Sequence, residues 1–533
     1  MFFRISKFSP LLSGEVDRSW VPLGEMITSM VSPPAIPIGM HVRWGALWMV
    51  ANTGFAKLFG FAAQIAMGWL LSQNDFALYA IAISVSAFAA LLSDTGLRNL
   101  LIQRHGEYDR LEGPVFWLSL ALNTSAAVVL SGIAPLVAHA YGEPMLLNIL
   151  LFTALATVLA TPTAVFSAKL RVNLQFKALS LIQIGSSSLR YGCMVLLAWL
   201  GYGPLSFVIP VVLTNLFEGL ATWRLARTAP WRKPIGLQQW PETLRETRWI
   251  LIGTFSIGIL NNGLYLALGG LVPKSVVAIY FFAYQIIVQV GMLLSHNLFQ
   301  VLFPAFSKLA HDPSRSRSAI ERTLRVVMLA ATLSLILVPL YGPLEQLVWQ
   351  GKWKESVQPV QLLCAFYPIS ALLSVAMASQ AARGQFRSSA LMTLALAGGT
   401  ITAGLTGAYI FRTANGIAFA SGLFTFFGSL AYLITTLKAI QLPVIPVITS
   451  VLKIWGIGMI AAGLSLLLDT TVLSMWASEF RILVDGSAFI IVFGISARII
   501  LPDQLKDAAD IIPAPIRTPF LGLMRLSTQE RTT

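Results

Sequence analysis

The stretch Ser72-Gln73-Asn74-Asp75-Phe76-Ala77-Leu78-Tyr79-Ala80-Ile81-Ala82 decides the fold. Four polar residues break an apolar run that reaches Leu71, and a second apolar run opens at Phe76 and continues to Leu97. A related pattern returns 201 residues on, where Val277-Ala278-Ile279-Tyr280-Phe281-Phe282-Ala283 follows the break Pro273-Lys274-Ser275. Two further matches keep the chain order. Gln175-Phe176-Lys177 pairs with Gln385-Phe386-Arg387 at an offset of 210, and Tyr202-Gly203-Pro204-Leu205-Ser206-Phe207 pairs with Asn415-Gly416-Ile417-Ala418-Phe419 at 213. Offsets that drift slowly while staying in order mark a duplication of six apolar spans into twelve.

Composition sets the solvent for those spans. The chain has 533 residues, 56% of them hydrophobic and only 11% charged, with a mean hydropathy of +0.73. Soluble chains carry about 25% charged residues, so most soluble enzymes, disordered scaffolds and nucleic-acid-binding domains are excluded, and no nucleic-acid partner is expected. Cys193 and Cys364 sit alone in apolar stretches, which provides neither a disulfide framework nor a thiolate metal site. The five histidines have no metal-ligand spacing, and no phosphate loop, nucleophile elbow or paired-carboxylate motif occurs. The expectation is a non-enzyme without metal or cofactor.

A bilayer crossing needs about 20 apolar residues. Fourteen runs meet this: 44–71, 76–97, 114–138, 145–165, 179–200, 204–223, 249–272, 276–303, 324–341, 358–379, 388–411, 415–437, 444–468 and 481–500. Their unbroken apolar character favours helices over the alternating strands of a barrel. With a cytoplasmic N-terminus, 30 of the 37 Lys and Arg fall on the cytoplasmic side, as the positive-inside rule requires. Lys274, Lys352, Lys354, Arg412 and Arg481 fall opposite, and Lys57 and Arg190 lie within spans.

The expected fold class is therefore an all-α polytopic membrane protein with both termini cytoplasmic. Two six-helix bundles are related by a pseudo-two-fold axis along the membrane normal, with two extra C-terminal helices. The expected divisions are a disordered cytoplasmic lead over 1–43, a first bundle over 44–223 and a basic cytoplasmic linker over 224–248. A second bundle over 249–437, two added spans over 438–500 and a cytoplasmic tail over 501–533 follow. Nothing before His41 is expected to matter for function.

Several segments resemble the polysaccharide-transporter branch of the multidrug/oligosaccharidyl-lipid/polysaccharide exporter superfamily, the lipid-linked oligosaccharide flippases. They are Leu70–Tyr79 with Asp94-Thr95-Gly96-Leu97 and Ile102-Gln103, and Lys169–Phe176 with Leu200-Gly201-Tyr202-Gly203. In the second half they are Val301–Ser307, Gly351-Lys352-Trp353 and Ala382-Arg383-Gly384. The likeness covers about residues 44–440, and within the family it leans toward exporters of succinoglycan- and xanthan-type exopolysaccharide pathways. Three positions depart from the family pattern: Ala77 replaces a glycine, Leu264 an acidic residue of span seven, and Val272-Pro273 a Gly-Pro turn. The loss of that acid puts any ion-coupling role at the position in doubt.

The resemblance implies a flippase of the bacterial inner membrane that moves undecaprenyl-diphosphate-linked oligosaccharide to the periplasmic leaflet by alternating access. Its partners would be the polyprenyl-diphosphate-linked oligosaccharide, membrane lipids, and a polysaccharide polymerase and co-polymerase.

A charge inside a span is costly and marks a candidate site. Lys57, with Asn52 near it, and Arg190 would form a basic cavity that attracts carrier phosphates, the Arg by its planar fork of donors. Glu218 either joins that cavity or fixes helix packing by pairing with one of the cations. Arg98 and Arg104 either anchor a helix end or capture diphosphate at the cytoplasmic mouth. Gln285 and Gln289 share a helical face that could line a sugar path, a role that interhelical hydrogen bonding explains equally well for Asn123, Asn215, Asn261 and Asn262. The rival functions are a drug/cation antiporter of the same superfamily, which favours acidic cavity groups, and a membrane-embedded glycan polymerase or ligase. The polymerase needs a large outward loop, whereas the longest outward segment, about 342–357, is short.

Overall fold

A computed structural model describes residues 58–93, 107–173, 175–309 and 312–509, together with Ala56, Leu97 and Leu101. Every regular element among the described residues is helical. Eleven of these helices are long and apolar enough to cross a membrane, and two shorter apolar helices, Leu58–Leu70 and Lys274–Gln289, accompany them. Lipid offers backbone groups no partners, so each crossing segment must close its own hydrogen bonds. The large apolar side chains left exposed, among them Trp199, Tyr409, Ile445 and Ile499, fit a surface that faces hydrocarbon. The chain is a multi-pass membrane protein.

The first half holds α1 (Leu58–Leu70), α2 (Gln73–Ser93), α3 (Tyr108–Tyr141), α4 (Met145–Leu159), α5 (Thr161–Val172), α6 (Phe176–Trp199) and α7 (Leu205–Ala226). The polar break before α2 is a reciprocal cap. The Asp75 carboxylate accepts from the Ser72 N–H at 2.9 Å and from its hydroxyl at 2.7 Å, and the Asp75 N–H donates back to Ser72 Oγ at 3.2 Å. This ties down backbone donors that a helix start leaves unpaired. Gly142 ends α3 at φ +62°, a conformation that disfavours any side chain.

The second half holds α8 (Trp240–Leu268), α9 (Lys274–Leu309), α10 (Pro313–Thr332), α11 (Leu337–Trp349), α12 (Val357–Phe366), α13 (Leu372–Ala381), α14 (Phe386–Phe411) and α15 (Ala414–Ala439). An appended hairpin, α16 (Val444–Thr471) and α17 (Ser478–Ile500), and a short α18 (Pro502–Ala509) complete the described residues. The hairpins α6–α7 and α14–α15 pack alike in the two halves. In the second of these the backbones nearly touch: a Cβ on Gly407 would lie 2.4 Å from the Gly416 carbonyl oxygen. Small residues permit such an approach between membrane helices.

One boundary differs from the sequence expectation. The run placed at 324–341 belongs to a longer helical segment that starts at Pro313. There Asp312 caps the chain by accepting from the Ser314 and Arg315 N–H groups, so Arg315, Arg317, Arg322 and Arg325 lie on a helix and not in a loop. Helix α8 opens at Trp240 with Pro241 in its first turn, where a missing N–H does no harm, and its apolar span begins at Arg248. Short 3-10 segments interrupt the apolar runs at Leu333–Ile336 and at Tyr367–Ala371, the second containing Pro368.

Candidate functional site

The two duplicated segments meet. Phe76 of α2 lies edge-on to Phe282 of α9 with ring centroids 5.4 Å apart, and Tyr79 meets Phe281 at 5.8 Å. Tyr79 also stacks on Phe207 of α7 at 4.1 Å, and Phe282 stacks on Trp353 at 3.9 Å. Phe76, Phe281, Phe282, Tyr265 and Trp353 are all essentially inaccessible. This aromatic plug is the junction of the halves, and each offset or edge-on pair adds about 0.5–1.5 kcal/mol beyond area burial.

Polar ties brace the plug at the same end of the molecule. The α11–α12 connection turns sharply at Gln350 and Gly351, with φ +54° and +86°, and reaches across to α1. The Trp349 indole donates to the Ile65 carbonyl at 3.1 Å and the Trp353 indole to the Gly68 carbonyl at 3.0 Å. The Lys352 ammonium donates to the carbonyls of Trp69 and Leu71 at 2.8 and 2.7 Å. Desolvation lowers the Lys352 pKa below its ordinary range, against the opposing charge of Asp75. The Glu345 carboxylate accepts the Trp353 N–H at 2.8 Å and so fixes the turn. On the other flank Tyr141 donates to the Leu266 carbonyl, the Leu266 N–H donates to Ser84 Oγ at 3.0 Å, and Lys274 pairs with Glu143.

The opposite end carries the basic loops, and its ion pairs are local. Glu112, 1% exposed, is held by Lys233 at 2.6 Å, and Asp109 takes Lys169 at 3.4 Å. Trp231 packs among Phe116, Phe166 and Trp223, which docks the linker onto the first half. Arg322 and Arg325 hold Asp507 of α18 at 3.1 and 3.4 Å, within the second half and its tail.

Of the residues singled out from sequence, Asn52, Lys57, Arg98 and Arg104 lie outside the described residues. Arg190 is exposed near the middle of α6 and makes no hydrogen bond or ion pair to another described residue. Its charge reaches the Tyr79 ring at the base of the plug. Its neighbour Tyr191 packs on α1, where a Cβ on Gly60 would lie 2.8 Å from the tyrosine oxygen. Glu218 receives the Ser186 hydroxyl from α6 and forms no ion pair with Arg190. Gln285 and Gln289 are half-buried on α9.

The asparagines separate. Asn123 donates to Thr161 at 2.9 Å and Asn215 to the Ala156 carbonyl at 2.8 Å, both tying helices together. Asn261 instead borders a small cavity lined by Tyr265, Tyr280, Tyr284 and Tyr367. Its volume is about 10 Å3, at the threshold for a single water. Tyr367, placed there by the interrupted helix, donates to the Tyr284 hydroxyl at 2.6 Å.

Sequence reasoning missed Trp349 and Glu112, and quoted Trp353 only within the familial Gly351-Lys352-Trp353 motif. It reported Lys274 and Arg481 only as exceptions to the charge rule, and Lys352 as such an exception and as part of that motif. Those exceptions were the available signal, since each has a specific partner: Glu143, the α1 carbonyls and, at 2.7 Å, Asp469.

A family described as polysaccharide biosynthesis protein matches residues 66–358, more than half of the chain. The chain belongs to that family. It is similar to the lipopolysaccharide biosynthesis protein WzxC of Escherichia coli (strain K12), with 27% identity over 342 residues, covering 60% of this chain and 65% of that protein. It is also similar to the succinoglycan biosynthesis transport protein ExoT of Rhizobium meliloti (strain 1021), with 25% identity over 328 residues, covering 59% and 63%. The matches thus span just under two thirds of these relatives. Among solved structures, the lipid II flippase MurJ in an inward closed conformation superposes with a TM-score of 0.66 at 14% identity, covering 86% of this chain and 100% of that one. An inward-facing multidrug resistance MATE family transporter gives 0.56 at 13%, covering 72% and 94%. The fold is that of this exporter superfamily.

Proposed function

We propose that this member of the polysaccharide biosynthesis protein family is a flippase. It translocates undecaprenyl-diphosphate-linked oligosaccharide repeat units across the bacterial inner membrane for exopolysaccharide biosynthesis, and it is a transporter and not an enzyme. The related names WzxC and ExoT support the substrate class. The observation that carries the mechanism is the contrast between a sealed junction and a cation that pairs with no other described residue: the aromatic plug closes one end while Arg190 stands exposed near Tyr79.

In this reading the plugged end faces the periplasm, both termini are cytoplasmic, and the basic end admits substrate. The first half (44–223) and second half (249–437) rock about the plug, and the basic cavity formed by Arg190 with Lys57 attracts the diphosphate. A guanidinium without a protein partner is free to offer its fork to phosphate oxygens. Asn52, Arg98, Arg104, Glu218, Gln285 and Gln289 are assigned to the same path, and a polymerase with its co-polymerase would receive the product.

The test is flipping of labelled lipid-linked oligosaccharide by the full chain in proteoliposomes. Arg190→Ala with Lys57→Ala is expected to abolish transport while leaving the protein folded. Normal transport by that double variant would sink the basic-cavity reading.

A further inference from the structure

The appended hairpin α16–α17 holds a charge arrangement that the transport reading does not use. Asp469 is 4% exposed, and both of its oxygens accept from the Arg481 guanidinium at 2.7 Å. Asp485 lies one turn further along α17 and is 0% exposed. Neither oxygen of Asp485 receives a hydrogen bond, and the carboxyl rests against that of Asp469. The Asp485 backbone carbonyl is separately occupied by the Ser465 hydroxyl at 2.8 Å. Two carboxylates therefore face one guanidinium, already used by the first of them.

Among the described residues, the other elements packed on α17 bring no second cation that pairs with either carboxyl. From α11 come Glu345, committed to Trp353, and Tyr341, hydrogen-bonded with Ser356; α16 carries Lys453, and α18 carries Asp503, Lys506 and Asp507 at the far end of α17. Arg481 itself lines a cavity of about 660 Å3, shared with Glu345, Gln346, Lys354 and Glu355, whereas neither carboxyl of the pair lines it. A buried carboxylate with no donor and a like charge in contact is strongly disfavoured. A proton removes both penalties, because a neutral carboxyl donates an O–H to its neighbour.

We propose that Asp469 and Asp485 form a proton-binding pair that holds one proton between them inside the α16–α17 hairpin. The proton exchanges with water past Arg481, which borders both Asp469 and the cavity. A metal cation fits less well, since it would have to displace the guanidinium from both Asp469 oxygens.

Infrared spectroscopy of the full-length protein in lipid, reading the protonated-carboxyl C=O stretch, tests this independently of any transported substrate. Wild type should show the band in mildly acidic buffer, lose it as pH rises, and keep it on addition of sodium at fixed pH. Asp485→Asn, which keeps the shape of the neutral acid, should lack the band. Asp469→Asn frees Arg481 to pair with Asp485 and should shift loss of the band to lower pH. The proposal is overturned if wild type shows no such band at any pH, if sodium bleaches it, or if Asp469→Asn leaves its titration unmoved.

Discussion

The two ends of this molecule are built on different physics. At the aromatic end the halves are bound to each other, by stacked rings around Phe76 and Phe282 and by indole and ammonium donors reaching from one half to the other. At the basic end the ion pairs are local, as Lys233 of the linker binds Glu112 of the first half and Arg322 of the second half binds Asp507 of the tail. Dry aromatic contact is lost all at once when surfaces part, whereas local ion pairs survive a movement between halves. Under the proposed transport reading, the aromatic end is the one that must break for a rigid-body exchange of access.

Trp353→Ala is the most severe challenge to that contrast. It removes the ring stacked on Phe282 and the donor to Gly68, and should cost about 3–5 kcal/mol. A lowered thermal unfolding midpoint in detergent, with faster thiol labelling of an Ile65→Cys reporter, is expected. Unchanged labelling would mean that the plug is not the closure.

Glu112→Gln attacks the other end and should cost about 1–3 kcal/mol, since Lys233 loses its buried partner but retains solvent. Proteolysis within the linker should quicken while labelling at Ile65→Cys stays at the wild-type rate. A rise in that labelling would erase the distinction between the ends.

Lys352→Met withdraws a charged donor from two carbonyls at an exposed position, for a loss of about 1 kcal/mol. The labelling rate should move in the same direction as for Trp353→Ala, and by less. Arg190→Gln should change stability by less than about 0.5 kcal/mol, yet depress transport in the vesicle assay. A large drop in the unfolding midpoint would make Arg190 a packing residue instead.

Much of the fold was legible because apolar length and lipid leave the backbone little choice. The matched segments 76–82 and 277–283 also located the junction, although composition alone could not say that Phe76 and Phe282 would touch. The ties were hidden for a physical reason. Glu112 and Lys233 are 121 residues apart, and Trp353 meets Gly68 across 285, and no local pattern encodes such pairs. The charge rule came nearest, because a cation on the unfavoured side needs a compensating partner, and Lys274, Lys352 and Arg481 each have one. Arg190 was legible as a mid-span charge, whereas its place near Tyr79 depended on the tertiary fold.

The acceptors of the ties onto α1 are all main-chain oxygens of that segment and the residue after it: Ile65, Gly68, Trp69 and Leu71. A carbonyl is present whatever side chain its residue bears. Relatives can therefore drift in sequence along α1 and keep this latch, provided that the donors Trp349, Lys352 and Trp353 remain and a small residue stays at Gly68, where a Cβ would lie 2.4 Å from the Trp349 indole nitrogen. In this latch evolutionary constraint should fall mainly on the α11–α12 connection, leaving the rest of α1 open to adaptation to new lipids or cargo.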